Sequence, residues 1–115
     1  MHEASLAEEL IEIINATARR EHFKHVKKVE LEIGELSCVD PESLRFAIEA
    51  LIYDSVLDLA TINISQIPGR LQCLHCKKEF EGNSVHTACP YCQQFGTRIV
   101  GGDDMQLTEL EIYEE

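Results

Sequence analysis

Two cysteine pairs constrain the fold of this chain more than any other feature. They are Cys73-Leu74-His75-Cys76 and Cys89-Pro90-Tyr91-Cys92, with twelve residues between them. Two residues between cysteines allow both sulfur atoms of a tight turn to point toward one centre, so two such turns can surround a metal ion with four thiolates. The spacing therefore predicts a closed structural zinc site made of Cys73, Cys76, Cys89 and Cys92.

Two other readings of the cysteines remain open at this stage. A pair of disulfides would leave the fifth cysteine, Cys38, without a partner, and no apolar signal segment opens the sequence. A thiol redox pair requires a cysteine motif that follows a strand and opens a long helix, which neither motif does. A closed four-cysteine site has no open coordination position, so it is expected to support structure and not catalysis.

Length and charge limit the classes of partner. The chain has 115 residues, enough for one modest domain that carries a smaller metal-bound one. Residues 68–100 hold four basic and two acidic side chains and so carry a charge of +2. Since the whole chain carries −11, the other residues together carry −13. An acidic body repels phosphates, which disfavours nucleic acid as a partner. No apolar stretch approaches the ~20 residues of a membrane span, so we expect a soluble, cytoplasmic protein with no membrane partner.

The first part of the sequence predicts a helix and a strand. Ser5-Leu6-Ala7-Glu8 has the pattern of a capping box, which starts the helix at Ser5, leaves Met1–Ala4 exposed before it, and is followed by helical spacing of apolar residues. We expect this helix to end near Glu21–Phe23. From Lys28 to Gly34 apolar and charged residues alternate, as they do in a strand with one buried face.

The remaining pattern completes an α+β fold. Asp40-Pro41 predicts the start of a second helix, with Asp40 as N-cap and Pro41 in the first turn. Alternation over residues 60–65 and apolar residues after Met105 predict two further strands. We therefore expect two helices on one face of a three-stranded sheet, with an inserted zinc-ribbon-like module of four cysteines. The expected domains are the α+β body, made of residues 1–67 plus 102–115, and residues 68–101, which would bind zinc.

The N-terminal sequence Met1-His2-Glu3 can form a metal chelate. The terminal amine, the deprotonated amide of His2 and the His2 imidazole place three nitrogen atoms around one centre, a set that suits square-planar Ni(II) or Cu(II). Glu3 can add an amide nitrogen or a carboxylate. The alternative is a frayed terminus that happens to contain a histidine.

Several segments together resemble the HypA/HybF family of hydrogenase nickel-incorporation proteins. They occur in the family's order and span the chain: Met1-His2-Glu3, Ile33–Val39, Pro41–Phe46 and the two spaced cysteine pairs. The resemblance implies nickel ligation by Met1, His2 and Glu3, with Ni(II) as cargo. It also implies structural Zn(II) on Cys73, Cys76, Cys89 and Cys92.

The same resemblance implies a carrier that is not an enzyme. Family members pass nickel onward with an accessory GTPase to the large subunit of nickel–iron hydrogenase, and in some bacteria they also supply urease. We expect a monomer or a weak homodimer. The chain also lacks a glycine-rich phosphate loop, a GxSxG elbow and an HExxH helix, the signatures of several enzyme classes.

The sequence departs from some family members near the cysteines. Where those members carry histidines after each pair, this chain has Lys77-Lys78 and Gln93-Gln94, which puts mixed thiolate–imidazole ligation in doubt. The nearby His75 and His86 are expected to be loop residues that face solvent. Cys38 is expected to be a buried small residue.

Two other functions compete with nickel delivery. One is a zinc-ribbon adaptor that mediates protein contacts without nickel transfer, and the other is an accessory subunit that uses its acidic face only for binding. The adaptor predicts that function survives deletion of residues 1–3, and it fits poorly with the −13 charge outside the cysteine segment. Nickel delivery predicts that it does not.

Overall fold

The chain folds into two helices and six strands, as seen in a computed structural model that describes residues 2–53 and 55–113. Neither helix among these residues is long and apolar enough to span a membrane. The α+β class predicted from the sequence is confirmed. The elements in chain order are α1 (His2–Glu21), β1 (Val26–Gly34), α2 (Pro41–Leu51), β2 (Thr61–Ile67), β3 (Arg70–Cys73), β4 (Glu79–Glu81), β5 (Thr97–Gly101) and β6 (Met105–Ile112).

The larger sheet is a mixed sheet with strand order β2-β1-β6. Strand β6 is antiparallel to β1, because the Tyr113 amide donates to the His25 carbonyl at 3.2 Å while the Thr108 hydroxyl donates to the Glu30 carbonyl at 3.3 Å. Strand β2 is parallel to β1 and is reached through α2. This strand–helix–strand connection places a helix against the sheet, as a parallel pair requires.

Helix α1 begins at His2, so the predicted start at Ser5 is wrong. Ser5 is an exposed residue inside the first turns of the helix. The half-buried Glu3 accepts a hydrogen bond from the Asp40 amide, and this tertiary contact holds the first turn in place. A contact between residues far apart in sequence therefore overrode the local capping signal.

Helix α2 begins as the sequence predicts. The Asp40 carboxylate accepts from the Ser43 amide at 3.1 Å, and Pro41 occupies the first turn. Such an N-cap satisfies one of the amides that a helix start leaves without an intrahelical acceptor. Farther along, Arg45 donates from Nη1 to the Ile62 carbonyl at 2.7 Å, which fastens α2 to β2.

The chain forms two compact units. The first comprises residues 1–31, 39–65 and 107–115, and the second comprises residues 32–38 and 66–106. The first unit has its own apolar core, formed by both helices, β1, β2 and the loops that connect these elements. Its buried side chains are Ala7, Leu10, Ile11, Ile14, Ala18, Phe23, Val26, Val29, Leu31, Val39, Leu44, Ile48, Leu57 and Ile62. The predicted domain limits stay a prediction.

The second unit contains a small antiparallel sheet in the order β4-β3-β5. Leu71 of β3 is paired with Phe80 of β4 on one side and with Ile99 of β5 on the other. A buried cluster around the cysteine turns of this unit consists of Leu71, Cys73, Phe80 and Cys89, and Leu36 packs against it. Half of this small cluster is cysteine, so the unit has few apolar side chains of its own to stabilise it.

Three glycines allow the backbone to cross closely where the cysteine segment joins the chain. A Cβ on Gly34 would overlap the Gly102 carbonyl, and one on Gly102 would lie 2.6 Å from the Gly69 Cα. Gly102 also has φ +72°, in the region that favours glycine. The Leu36 amide donates to the Gly102 carbonyl at 2.8 Å, so the crossing is hydrogen bonded as well as tight.

Candidate metal sites

Four cysteine sulfur atoms meet in the second unit. The ligand atoms of Cys73, Cys76, Cys89 and Cys92 all lie within 4.8 Å of one another. The Cys73 and Cys92 sulfur atoms are 3.6 Å apart, and those of Cys76 and Cys89 are 3.7 Å apart. A tetrahedron of sulfurs around zinc, with Zn–S of about 2.3 Å, has edges of about 3.8 Å, so the donor set fits this ion. All four cysteines are free thiols, which excludes the disulfide reading.

The two cysteine turns have the same local design. In the first, the Lys77 amide donates to the Cys73 carbonyl at 3.0 Å, and in the second, the Gln93 amide donates to the Cys89 carbonyl at 2.8 Å. Lys77 and Gln93 have φ of 68° and 61°, left-handed conformations that reverse the chain after each pair. Backbone amides also point at the sulfurs: those of His75 and Tyr91 lie 3.4 Å from the sulfurs of Cys73 and Cys89. Both turns therefore present thiolates that are already hydrogen bonded.

The thiol pKa values differ within the cluster. The Cys76 amide, which donates to the Cys73 sulfur, lowers the pKa of Cys73 to about 6, against the opposing effect of burial. Burial raises the pKa of Cys89, but the amides of Cys92 and Tyr91 outweigh it and lower that pKa overall. For Cys92 the amide of Gln94 lowers the pKa, yet burial and the neighbouring thiols together raise it to about 11. Without a metal the cluster therefore holds both thiolates and thiols.

Two contacts join one cysteine turn to the other. The His75 ring, through Nε2, is 2.9 Å from the Phe95 carbonyl oxygen, and the Lys78 ammonium lies 4.9 Å from the centre of the Tyr91 ring. His75 and His86 are both exposed, as predicted. Within residues 2–53 and 55–113, the four cysteines form the only group of three or more histidine, cysteine or acidic side chains placed to share a metal, and no histidine belongs to it.

The N-terminal residues are arranged on the first turn of α1. His2 is exposed and opens the helix, whereas Met1 lies outside the described residues. Since the first four amides of a helix have no intrahelical acceptor, the amides of His2 and Glu3 are not used by the helix itself. The Glu3 carboxylate accepts from the Asp40 amide at 3.0 Å, and this bond lowers the pKa of Glu3.

Asp40 contacts the N-terminal turn of α1, and this contact was not predicted from the sequence. Its N-cap role was visible in the pattern Asp40-Pro41, but no local signal links it to Glu3, which is 37 positions away. The prediction that Cys38 is buried is wrong: its side chain is exposed. Cys38 has φ 64° in the loop after β1, and this reversal of the backbone turns the thiol outward.

A family model matches nearly the whole chain. Residues 1–112 match the family described as "Hydrogenase/urease nickel incorporation, metallochaperone, hypA". The chain is 39% identical over 112 residues to the hydrogenase maturation factor HypA of Dechloromonas aromatica, covering 97% of this chain and 99% of that protein. It is 40% identical, with the same coverage, to the hydrogenase maturation factor HypA of Bradyrhizobium sp..

Solved structures give the same match. The solution structure of the Ni metallochaperone HypA from Helicobacter pylori superposes with a TM-score of 0.71 at 27% identity, covering 98% of each chain. A second solution structure, of a HypA protein, superposes with a TM-score of 0.74 at 27% identity, covering all of this chain and 98% of the other. Fold and sequence therefore agree along the full length.

Proposed function

The chain belongs to the HypA family of nickel metallochaperones, which are carriers in hydrogenase maturation and not enzymes, and we propose that it binds its nickel at the N-terminus. The ligands are the amine of Met1, the imidazole and amide of His2, and a donor from Glu3. Nickel is the cargo of this site and is passed on during assembly of the nickel–iron centre. The four cysteines hold Zn(II), which stays with the protein.

The observation that carries the nickel proposal is the position of His2 at the first turn of α1. Amides at a helix start have no intrahelical acceptor, so their deprotonation and metal binding break no helical hydrogen bond. The imidazole of His2 is exposed, so a metal ion can reach it from solvent. Three nitrogens on two adjacent residues favour the planar geometry of Ni(II).

The assignment of zinc to the cysteines rests on the donor set. Four sulfurs at tetrahedral separations suit Zn(II), which has no preference for a planar arrangement. Nickel and zinc are then separated by ligand type and geometry within one chain. A closed thiolate site also explains how a unit with so small an apolar core is stabilised.

The partners in this proposal are an accessory GTPase and the large subunit of nickel–iron hydrogenase, with urease as a further recipient. The cytoplasm is the proposed compartment, since it keeps metal-binding thiols reduced. A monomer or weak homodimer is sufficient, because neither proposed metal site needs a second copy for its ligands.

Nickel titration of the zinc-loaded protein tests the proposal. We expect His2→Ala to lose specific nickel binding and to leave zinc content unchanged. One extra residue ahead of Met1 should be nearly as damaging, because it moves the amine out of the chelate ring. His86→Ala is the matched control, since His86 is an exposed histidine of the second unit. If His2→Ala bound nickel and supported maturation like the parent, the proposal would be wrong and an adaptor function would replace it.

A further inference from the structure

The four cysteine sulfurs make two close contacts, and each contact joins one cysteine turn to the other. The Cys73 and Cys92 sulfurs are 3.6 Å apart, and the Cys76 and Cys89 sulfurs are 3.7 Å apart. Each cysteine belongs to one of these contacts, so the four sulfurs divide into two pairs with none left over. Since a disulfide has an S–S length of about 2.05 Å, each pair is about 1.6 Å from bonding distance.

Each pair combines a buried sulfur with one that is nearer to solvent. Cys73 and Cys89 are 0% and 1% exposed, whereas Cys76 and Cys92 are half-buried. A small oxidant in solvent therefore reaches Cys76 or Cys92 first, and the buried partner lies beside the sulfur that is attacked. Redox-sensitive cysteines have this arrangement, with an accessible sulfur next to a second one that resolves the oxidised form.

Backbone contacts hold the two turns side by side independently of a metal. The Leu74 amide in the first turn donates to the Gly96 carbonyl at 3.0 Å, and the Cys89 amide in the second donates to the Gln94 carbonyl at 2.9 Å. Strand β3, which ends at Cys73, is paired with β5, which begins directly after Gly96. The turns therefore stay adjacent when metal ligation is lost, and the paired sulfurs stay within reach of each other.

We propose that the cysteine cluster is also a site of reversible oxidation, at which a hydroperoxide joins Cys73 to Cys92 and Cys76 to Cys89 and so releases the zinc. The inference rests on the zinc assignment made under the proposed function. The thiols are free in the structure, so the disulfides belong to an oxidised state of the same unit. In the reduced state zinc holds the two turns together, and in the oxidised state the disulfides do.

The chemistry balances with one hydroperoxide for each disulfide. The accessible thiolate attacks the peroxide, so an S–O bond forms, the O–O bond breaks and the departing oxygen takes a proton from solvent. The buried thiolate of the same pair then attacks the sulfenic sulfur: an S–S bond forms, the S–O bond breaks, and the hydroxide that leaves takes a second proton. Two thiolates lose two electrons, which the peroxide gains. A thiol reductant reverses the change by exchange, which restores the zinc ligands.

Hydrogen peroxide treatment of the zinc-loaded, full-length chain tests the proposal. A chromogenic indicator measures the released zinc, and mass spectrometry maps the disulfides after free thiols are alkylated and the protein is denatured and digested. Trypsin cuts after Lys77 and Lys78, so it separates the two turns unless a disulfide joins them. Chymotrypsin cuts after Leu74 and Tyr91, which separates the cysteines within each turn and identifies the partner of each. Cys38→Ala is the control, because Cys38 is an exposed thiol outside the cluster.

We expect one equivalent of zinc to be lost for every two disulfides formed, with both disulfides between the turns. Cys38→Ala should lose zinc at the parent rate, and dithiothreitol followed by zinc should restore the original content. His2→Ala should also react like the parent, so failure of the nickel site would leave this result unchanged.

Three results with the zinc-loaded parent would each overturn the proposal. They are zinc retained under conditions that oxidise Cys38, disulfides formed within each turn, and oxidation to sulfinic acid that dithiothreitol does not reverse. A parent chain that carried no zinc before the oxidant was added would overturn the zinc assignment as well. That failure is measured before the oxidation step, so the two are distinguishable.

Discussion

The Glu3 carboxylate lies 3.0 Å from the Asp40 amide and so joins the first turn of α1 to the N-cap of α2. Asp40 in turn uses its own carboxylate to hold the Ser43 amide and hydroxyl. The start of one helix is thus fixed by the cap of the other. Because His2 precedes Glu3, the same contact limits where the proposed nickel-binding imidazole can move.

Removing this contact is expected to loosen the N-terminus. In Glu3→Ala the Asp40 amide loses its acceptor, so the hydrogen exchange of this amide should accelerate. Nickel should bind more weakly, because the chelating residues are less ordered and the Glu3 carboxylate is no longer there as a donor. Glu3→Gln keeps a carbonyl acceptor and should retain most of the protection. Glu9→Ala is the control, an exposed glutamate of the same helix that has no described partner. Equal exchange of the Asp40 amide in Glu3→Ala and Glu9→Ala would contradict this role of Glu3.

Loss of one zinc ligand is expected to unfold the second unit selectively. Cys73→Ala or Cys92→Ala should lose bound zinc, and residues 70–101 should become sensitive to protease, because this unit has a small apolar core. Cys38→Ala is the control, since Cys38 is exposed and lies outside the cluster. The first unit should keep its helical signal. Full zinc content with protease resistance in both ligand variants would exclude a four-thiolate site.

The His75 ring is expected to slow zinc loss without being a ligand. Its contact with the Phe95 carbonyl joins the two cysteine turns, so His75→Ala should release zinc to a chelator faster while still binding one equivalent. His86→Ala should release zinc at the parent rate. A His75→Ala protein with reduced zinc stoichiometry would instead indicate that the imidazole coordinates the metal.

The thiol pKa values predict how zinc affinity depends on pH. Cys73 has its pKa lowered to about 6, so its side chain is already a thiolate at neutral pH. Below about pH 6 this thiol is protonated, and zinc then has to displace its proton in order to bind. Cys92, with its pKa raised to about 11, gives up a proton to zinc throughout this range. Zinc affinity should therefore fall as pH falls, and the slope should steepen below about 6 by roughly one proton. Competition titrations at several pH values check the slope, and pH indicators check proton release.

The glycine crossing predicts a large effect from a small substitution. Gly102→Ala would place a Cβ 2.6 Å from the Gly69 Cα and force a non-glycine residue to φ +72°. We expect a loss of at least about 2 kcal/mol in the free energy of unfolding. Gly101→Ala is the control, since its Cβ would meet Arg70 at an ordinary 3.4 Å. Denaturant unfolding of the zinc-loaded proteins makes the comparison. Equal stability of the two variants would contradict this account of the crossing.

Features written into short sequence stretches were predicted well. Asp40-Pro41 specifies the start of α2 because an N-cap and a first-turn proline act locally. Alternation before Gly34 specifies β1, whose apolar residues are buried. The cysteine cluster was predictable for the same reason, because each pair forms its own turn and the metal geometry then brings the two turns together.

Features set by distant contacts were not visible in the sequence. The capping pattern at Ser5 predicted the wrong start for α1, since Glu3 is held by an amide 37 residues away. Strands β3, β4 and β5 are short, and what defines them is their pairing through Leu71. Cys38 looked like a small core residue, but a left-handed backbone conformation turned it outward. In each case the deciding interaction lies outside the local window.

The crossing of Gly34, Gly69 and Gly102 has a consequence for the entropy of metal binding. It brings the two ends of residues 70–101 together through backbone contacts that contain no metal ligand. Closing a flexible loop of this length costs conformational entropy that grows with the logarithm of the number of residues. Since the glycines have already closed the loop, zinc has only to bring two preformed turns together inside it. The affinity of the thiolate site is thus set partly by three residues that have no side chain.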